Sequence, residues 1–189
     1  FLNIRIAHQI KGAADGVLPR IYSSGRLKNT LIISPPGCGK TTLLRDLIRQ
    51  ISDGNAFGRG MTVGVVDERS ELGGSFMGRP QNDMGMRTDV LDGCPKAVGM
   101  LMLLRSMAPE VIAIDELGGM EELDALRRAA NCGCRILATA HGENLEEVQC
   151  RFGVDRDFWD SFFGLYLVLC RKDGKCVVKQ ALEGREAFA

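Results

Sequence analysis

Four short stretches carry residue types that could do chemistry together. The first is the loop from Ile33 to Thr42, "ISPPGCGKTT". A Gly-Lys-Thr triplet closing a glycine-rich turn is the ending of a phosphate-binding loop. Gly37 and Gly39 leave out the Cβ that would obstruct a close backbone approach to an anion. Pro35 and Pro36 have no N–H to offer, so donation falls to Gly37, Cys38, Gly39, Lys40, Thr41 and Thr42, with Pro36 lining and stiffening the entry. Lys40 is placed to reach the outer phosphates of ATP, and the Thr41 hydroxyl to ligate Mg2+. Ser34 stands where such loops normally start with glycine, and reads as a tolerated small residue at a strand end.

The second stretch is "VIAIDELGG", an apolar run ending in Asp115 and Glu116. An acid at the end of a buried strand is costly unless something cationic lies there. Asp115 suits a water-mediated contact with Mg2+ opposite Thr41, and Glu116 suits polarising an attacking water. The third, "VVDERSE", offers Glu68 as a rival catalytic carboxylate, the alternative being a solvated loop start. The fourth, "ATAHG", brings Thr139 and His141 to a strand end, to sense a terminal phosphate or to serve as structural groups. Among Arg69, Arg79, Arg87 and Arg105, Arg87 is the first choice for a cation that neutralises the γ-phosphate from a neighbouring subunit.

These residues need elements to hold them. "TLIIS" at Thr30–Ser34 reads as a buried strand, and the following run sets Leu43, Leu44, Leu47, Ile48 and Ile51 on one helical face. Further strands are expected over residues 61–67, 110–115 and 135–140. Helices are expected from Pro95, from Met120 and over "ENLEEVQCRF". The helix after Pro95 is apolar almost all round, which implies deep burial or contact with a neighbouring subunit. Residues 70–94 show no periodicity and read as a long functional loop. Near the end, Asp173-Gly174 joins two strands in a hairpin. A helix over residues 3–15 precedes Pro19. Strands alternating with helices make a mostly parallel sheet covered on both faces.

The whole is 189 residues with 45% hydrophobic and 25% charged residues, ordinary for a globular protein. Lysine plus arginine and aspartate plus glutamate both number 24, so the net charge is zero. That balance, with one Trp and two Tyr, speaks against a single-stranded nucleic-acid binder. No apolar run approaches the length of a membrane span. The seven cysteines include no Cys-x-x-Cys pair and read as reduced thiols, not as a zinc site.

The stretches "LIISPPGCGKTTLLRDL", "VGVVDERSELGG", "LLRSMAPEVIAIDELGG" and "ILATAHG", in this order, resemble the stage III sporulation protein AA family of endospore-forming bacteria. That family is similar in turn to the type II and type IV secretion and pilus-motor ATPases. The resemblance implies an α/β fold with a RecA-like P-loop NTPase core, spanning residues 1–189 with a helical lead-in over 1–29. An N-terminal domain of the full-length protein would lie outside these residues. It also implies a P-loop ATPase using ATP and Mg2+, assembled with copies of itself in a ring, usually a hexamer. Lys40 and Thr41 match its Walker A motif, Asp115 and Glu116 its Walker B motif, Glu68 an acidic box and His141 a histidine box. By the same resemblance it would energise a channel between mother cell and forespore, from the cytoplasmic face of the mother-cell membrane and with membrane-embedded partners. A nucleic-acid-dependent ATPase on the same fold, and a nucleotide-binding scaffold without turnover, are the alternatives.

Overall fold

The computed structural model describes residues 9–185. Short entry elements come first: helix α1 (Leu18–Ile21) and the two-residue strands β1 (Tyr22–Ser23) and β2 (Arg26–Leu27). Strand β3 (Thr30–Ser34) then leads through the glycine loop into helix α2 (Lys40–Asp53). Strands β4 (Val63–Asp67) and β5 (Thr88–Asp92) are followed by α3 (Lys96–Ser106), β6 (Val111–Ile114), α4 (Met120–Asn131) and β7 (Arg135–His141). Helices α5 (Leu145–Phe152) and α6 (Arg156–Asp160) precede the hairpin of β8 (Leu165–Lys172) and β9 (Lys175–Glu183).

The sheet runs β5-β4-β6-β7-β3-β8-β9, and every neighbour pair is parallel except β8 with β9. Alternation along each strand sends side chains to two separate cores. Leu31, Ile33, Ile112, Ile114, Ile136 and Ala138 face α3, α4, α5 and α6. Ile32, Val63, Val65, Val111, Ala113 and Leu137 face α2 and the residues around α1. Burying each side chain of this kind contributes about 1.5–3 kcal/mol. Every residue of β3, β4 and β6 is buried, as a parallel sheet covered on both faces requires.

Parallel pairing also fixes where chemistry can occur. Ser34, Asp67, Ile114 and His141 all lie at the C-terminal ends of their strands, so the four motifs meet along one edge. Buried Asn29 secures the opposite end: its side chain donates to the Phe162 carbonyl at 2.7 Å and accepts from the Ile136 amide at 2.9 Å. Asp173 and Gly174, with φ of 50° and 75°, make the tight turn of the β8–β9 hairpin.

Two expectations need correction and one is narrowed. The stretch 70–94 is not all loop, because β5 pairs with β4 in register from Val63↔Thr88 to Asp67↔Asp92. An edge strand with only Val90 and Leu91 to bury gives too faint an alternation to recognise. Of the two alternatives for helix α3, deep burial is excluded: Met100 and Leu103 face the core while Val98 and Met102 are about half exposed. The helix expected over 3–15 falls partly outside the described residues. Its described part forms turns around Gly12, whose φ of 84° stops a helix, and Pro19 instead lies in the first turn of α1.

Candidate active site

The glycine loop has the conformation that its residue types demand. Gly37 and Gly39 adopt φ of 74° and 88°, in the left-handed region. A Cβ on Gly39 would also come within 3.2 Å of the Cys176 side chain in the hairpin. Ser34 is not among the positive-φ residues; it stays an extended strand residue and pairs with His141 of β7. Glycine's special freedom is therefore not needed there. Helix α2 begins Lys-Thr-Thr with no acidic residue in its first turn and no side chain capping it. Helices α4, α5 and α6 each carry an acid there. The first-turn amides of a helix have no intrahelical acceptor and, with the helix dipole, favour an anion.

Lys40 is buried, and its ammonium donates to the carbonyls of Ser34 at 3.2 Å and Pro35 at 3.4 Å. It also lies 3.0 Å from His141 Nδ1. An ammonium has no lone pair, so Nδ1 must be the acceptor. The proton of the neutral imidazole then sits on Nε2, which donates to Glu116 Oε1 at 2.6 Å. Arg69 closes the chain by donating to Glu116 Oε2 at 3.0 Å. Burial pulls the Lys40 ammonium below its ordinary value, offset in part by Asp115 and Glu116. Burial pushes the Glu116 carboxyl up, but the hydrogen bond from His141 and the charges of Arg69 and Lys40 outweigh it. Glu116 is thereby held below the ordinary glutamate value.

Asp115 is held beside this chain. Its Oδ2 accepts from the Thr41 hydroxyl at 2.7 Å and its Oδ1 from the Thr139 hydroxyl at 2.6 Å. The Thr139 oxygen in turn accepts the Glu116 amide at 2.8 Å, so one buried threonine sets both acids. A hydroxyl next to a carboxylate is a hard oxygen pair suited to Mg2+. Among the described residues no group of three or more His, Cys, Asp and Glu side chains could hold a metal ion. A Mg2+ bound here would rely on Thr41, Asp115, water and phosphate oxygens, its usual mode beside nucleotides.

The third motif divides its labour. Asp67 is buried and accepts the amides of Glu71 at 2.9 Å and Gly73 at 2.7 Å, shaping the loop after β4. Glu68 is turned toward Lys96, 3.6 Å away. Arg45 of α2 is buried and donates to the carbonyls of Leu72 at 2.7 Å and Glu71 at 2.6 Å. It thereby ties this loop to the helix that carries Lys40. The structure does not bring Arg87 to the cradle. Its guanidinium donates to the Ser52 carbonyl at 3.0 Å, at the C-terminal end of α2. Sequence reasoning missed Arg45 and Lys96 and ranked Arg69 below Arg87. No local motif marks a long side chain that acts across the fold.

Two clefts flank the loop. One, of about 510 Å³, is lined by Lys40, Thr41, Arg69, Glu116 and His141 and borders Pro36, Gly37, Gly39 and Thr42. The other, of about 400 Å³, lies beyond Cys38 and is bounded by Ile10, Ala13, Leu43, Arg171 and Cys176.

This sheet, loop and strand-end acid pair make the fold of a P-loop ATPase of the secretion and pilus type. The Legionella pneumophila ATPase DotB superposes with a TM-score of 0.67 at 18% identity, over 93% of this chain and 51% of that one. The pilus retraction motor PilT, solved with bound ADP, superposes with a TM-score of 0.63 at 16% identity, over 86% of this chain and 49% of that one. The chain belongs to the family described as sporulation stage III, protein AA, whose family model matches residues 1–187. It is 47% identical over 178 residues to the stage III sporulation protein AA of Bacillus subtilis, covering 94% of this chain and 58% of that protein. The chain thus spans somewhat over half the length of that relative. Among the described residues no helix is long and apolar enough to cross a membrane.

Proposed function

We infer that this chain is the ATP-hydrolysing part of a motor that works in sporulation. The observation that carries this reading is the hydrogen-bonded chain Lys40–His141–Glu116–Arg69 beside the Thr41–Asp115 pair, both at the mouth of a glycine loop. Amides from Gly37 to Thr42 would receive the phosphates, with Lys40 turning from its backbone acceptors to the outer ones. Thr41 and Asp115 would hold Mg2+, which neutralises phosphate charge when bound. Glu116, ionised at neutral pH, would accept a hydrogen bond from the attacking water and orient it in line. His141, joined to both Lys40 and Glu116, would report loss of the terminal phosphate. The second cleft has room for the ribose and base.

Kinship with secretion ATPases supports assembly of copies into a ring, in which a neighbour would supply a further arginine. Arg69 occupies the cation position within the chain, and Arg87 would act on an adjacent copy. We further propose that the ring, a hexamer, serves a membrane-embedded channel complex on the cytoplasmic face of the mother-cell membrane.

Steady-state hydrolysis tests the reading. Specific ATP turnover should rise with protein concentration. The Glu116→Gln variant should bind ATP and lose about 100-fold or more in kcat. Unchanged turnover in this variant refutes the role given to Glu116.

A further inference from the structure

Lys96 stands in an unfavourable place. It opens α3, where the positive end of the helix repels a cation, and it is only 8% exposed. A buried ammonium is tolerated only with charged or carbonyl partners. Lys96 has three, from three separate elements. Its ammonium donates to the main-chain carbonyl of Glu116, after β6. It lies 3.6 Å from a Glu68 carboxylate oxygen, after β4, and 3.4 Å from a Glu122 oxygen in α4. Glu122 also accepts the Gly118 amide at 2.7 Å, so the turn following Glu116 is held from both sides.

The carbonyl contact falls on a strained residue. Glu116 has φ of 55°, in the left-handed region that a residue with a Cβ avoids. In this conformation its side chain reaches His141 and Arg69 while its carbonyl meets Lys96. If the peptide relaxed to an ordinary strand conformation, the carboxylate would leave His141. An apolar residue at position 96 would fill the same space without any of these bonds, so packing alone does not account for a lysine.

We propose that Lys96 is a positioning residue for ATP hydrolysis: it locks the Glu116 peptide in its strained conformation and, by pairing with Glu68, leaves Glu116 as the carboxylate that orients the water. This rests on the ATPase reading above. Lys96 does not line the cleft around Lys40 and Thr41, so nucleotide binding and hydrolysis should separate.

The test uses the full-length protein and the variants Lys96→Met, Lys96→Arg and Lys96→Gln. Steady-state ATP hydrolysis, affinity for a fluorescent ATP analogue and thermal midpoint are measured on each. Lys96→Met should lose about 10- to 100-fold in kcat, with KM and analogue affinity within about twofold of wild type. Lys96→Arg, which keeps a charged donor, should recover most of the loss. An unchanged kcat in folded Lys96→Met overturns the proposal. So does a loss that appears equally in analogue affinity, follows the thermal midpoint and is not rescued by arginine. Should Lys96→Met not fold, Lys96→Gln decides: it removes the charge that pairs with Glu68, and wild-type kcat in it overturns the proposal as stated. Wild-type protein that binds the analogue but never hydrolyses ATP refutes the ATPase reading itself, and this inference with it. Normal wild-type turnover with an indifferent Lys96→Met refutes only the inference.

Discussion

The two ends of α2 are both wrapped in polar groups, yet they are built for different ends. At the C-terminal end, Ser52 is fully buried and its hydroxyl accepts the Arg87 amide at 2.7 Å. Asp53 accepts the Met86 amide at 2.8 Å, and the Ile51 carbonyl accepts Met61 at 3.0 Å. The fit is so close that a Cβ on Gly60 or Gly85 would lie 2.6 Å from Arg87 or Ser52. At the N-terminal end, the glycine loop opens onto a cleft of about 510 Å³. Its lysine is held by carbonyls and a histidine, partners that a phosphate can replace. One helix thus has a closed end that secures the fold and an open end that can take a ligand. Their positions against the sheet decide which is which: the open end meets the C-terminal edge of the strands.

The largest break in that contrast comes from Lys40→Ala. Removing the ammonium should weaken ATP binding about 100-fold or more with little change in thermal stability, read by analogue titration and a melting curve. Binding within a few-fold of wild type would show that the open end does not work as a phosphate cradle.

Asp46, on the flank of the same helix, should show the opposite behaviour. It is buried and accepts the Ala14 amide at 2.9 Å, Arg49 at 2.7 Å and Gln50 at 3.0 Å. Burial alone would raise its pKa, but these partners outweigh burial and hold it below the ordinary aspartate value. The folded pKa lies below the unfolded one, so the stabilisation is complete above about pH 4 and fades as pH falls through the folded value. Asp46→Asn should cost about 2 kcal/mol at pH 7 in denaturant unfolding, and less below pH 4, with ATP affinity unchanged. A cost that does not shrink in acid would contradict the assigned cause.

Arg87→Ala sharpens the comparison at the closed end. A loss of about 1 kcal/mol in stability with normal ATP affinity is expected from the lost bond to Ser52. If instead turnover of the assembled protein fell while stability held, Arg87 would be acting on the nucleotide of an adjacent copy. The smallest effect is expected from Ser34→Gly. Its extended backbone predicts ATP affinity within about twofold and a stability loss of about 0.5–1 kcal/mol, the cost of glycine in a strand. A large loss of affinity would mean that the Ser34 side chain takes part in the cradle.

Local patterns made much of this legible in advance. Strands β3, β4, β6 and β7, helix α2 and the β8–β9 turn all announce themselves through apolar runs, helical spacing or an Asp-Gly pair. Strand β5 and helix α6 did not. The first buries too few side chains, and the second is five residues long. The apolar surface of α3 left two alternatives open because hydrophobicity alone does not say which face meets the core. Within the site, residue types at short spacing singled out Lys40, Thr41, Asp115 and Glu116 as candidates and set Asp115 opposite Thr41, but gave no sign that His141 bonds to both Lys40 and Glu116.

What the amino-acid order determined by itself is the chemistry of the loop and of the strand-end acids. Glycines for left-handed turns, a lysine and a threonine opening a helix, and acids after an apolar run are requirements met within a few neighbouring residues. Only the tertiary structure decided how they are joined. Lys40 meets His141 across 101 residues of chain, and Thr41 meets Asp115 across 74. Lys96 reaches the Glu116 carbonyl from 20 residues away. Such pairings depend on which strands lie side by side, and hydrogen bonds form only where the sheet order brings donor and acceptor atoms within about 3 Å.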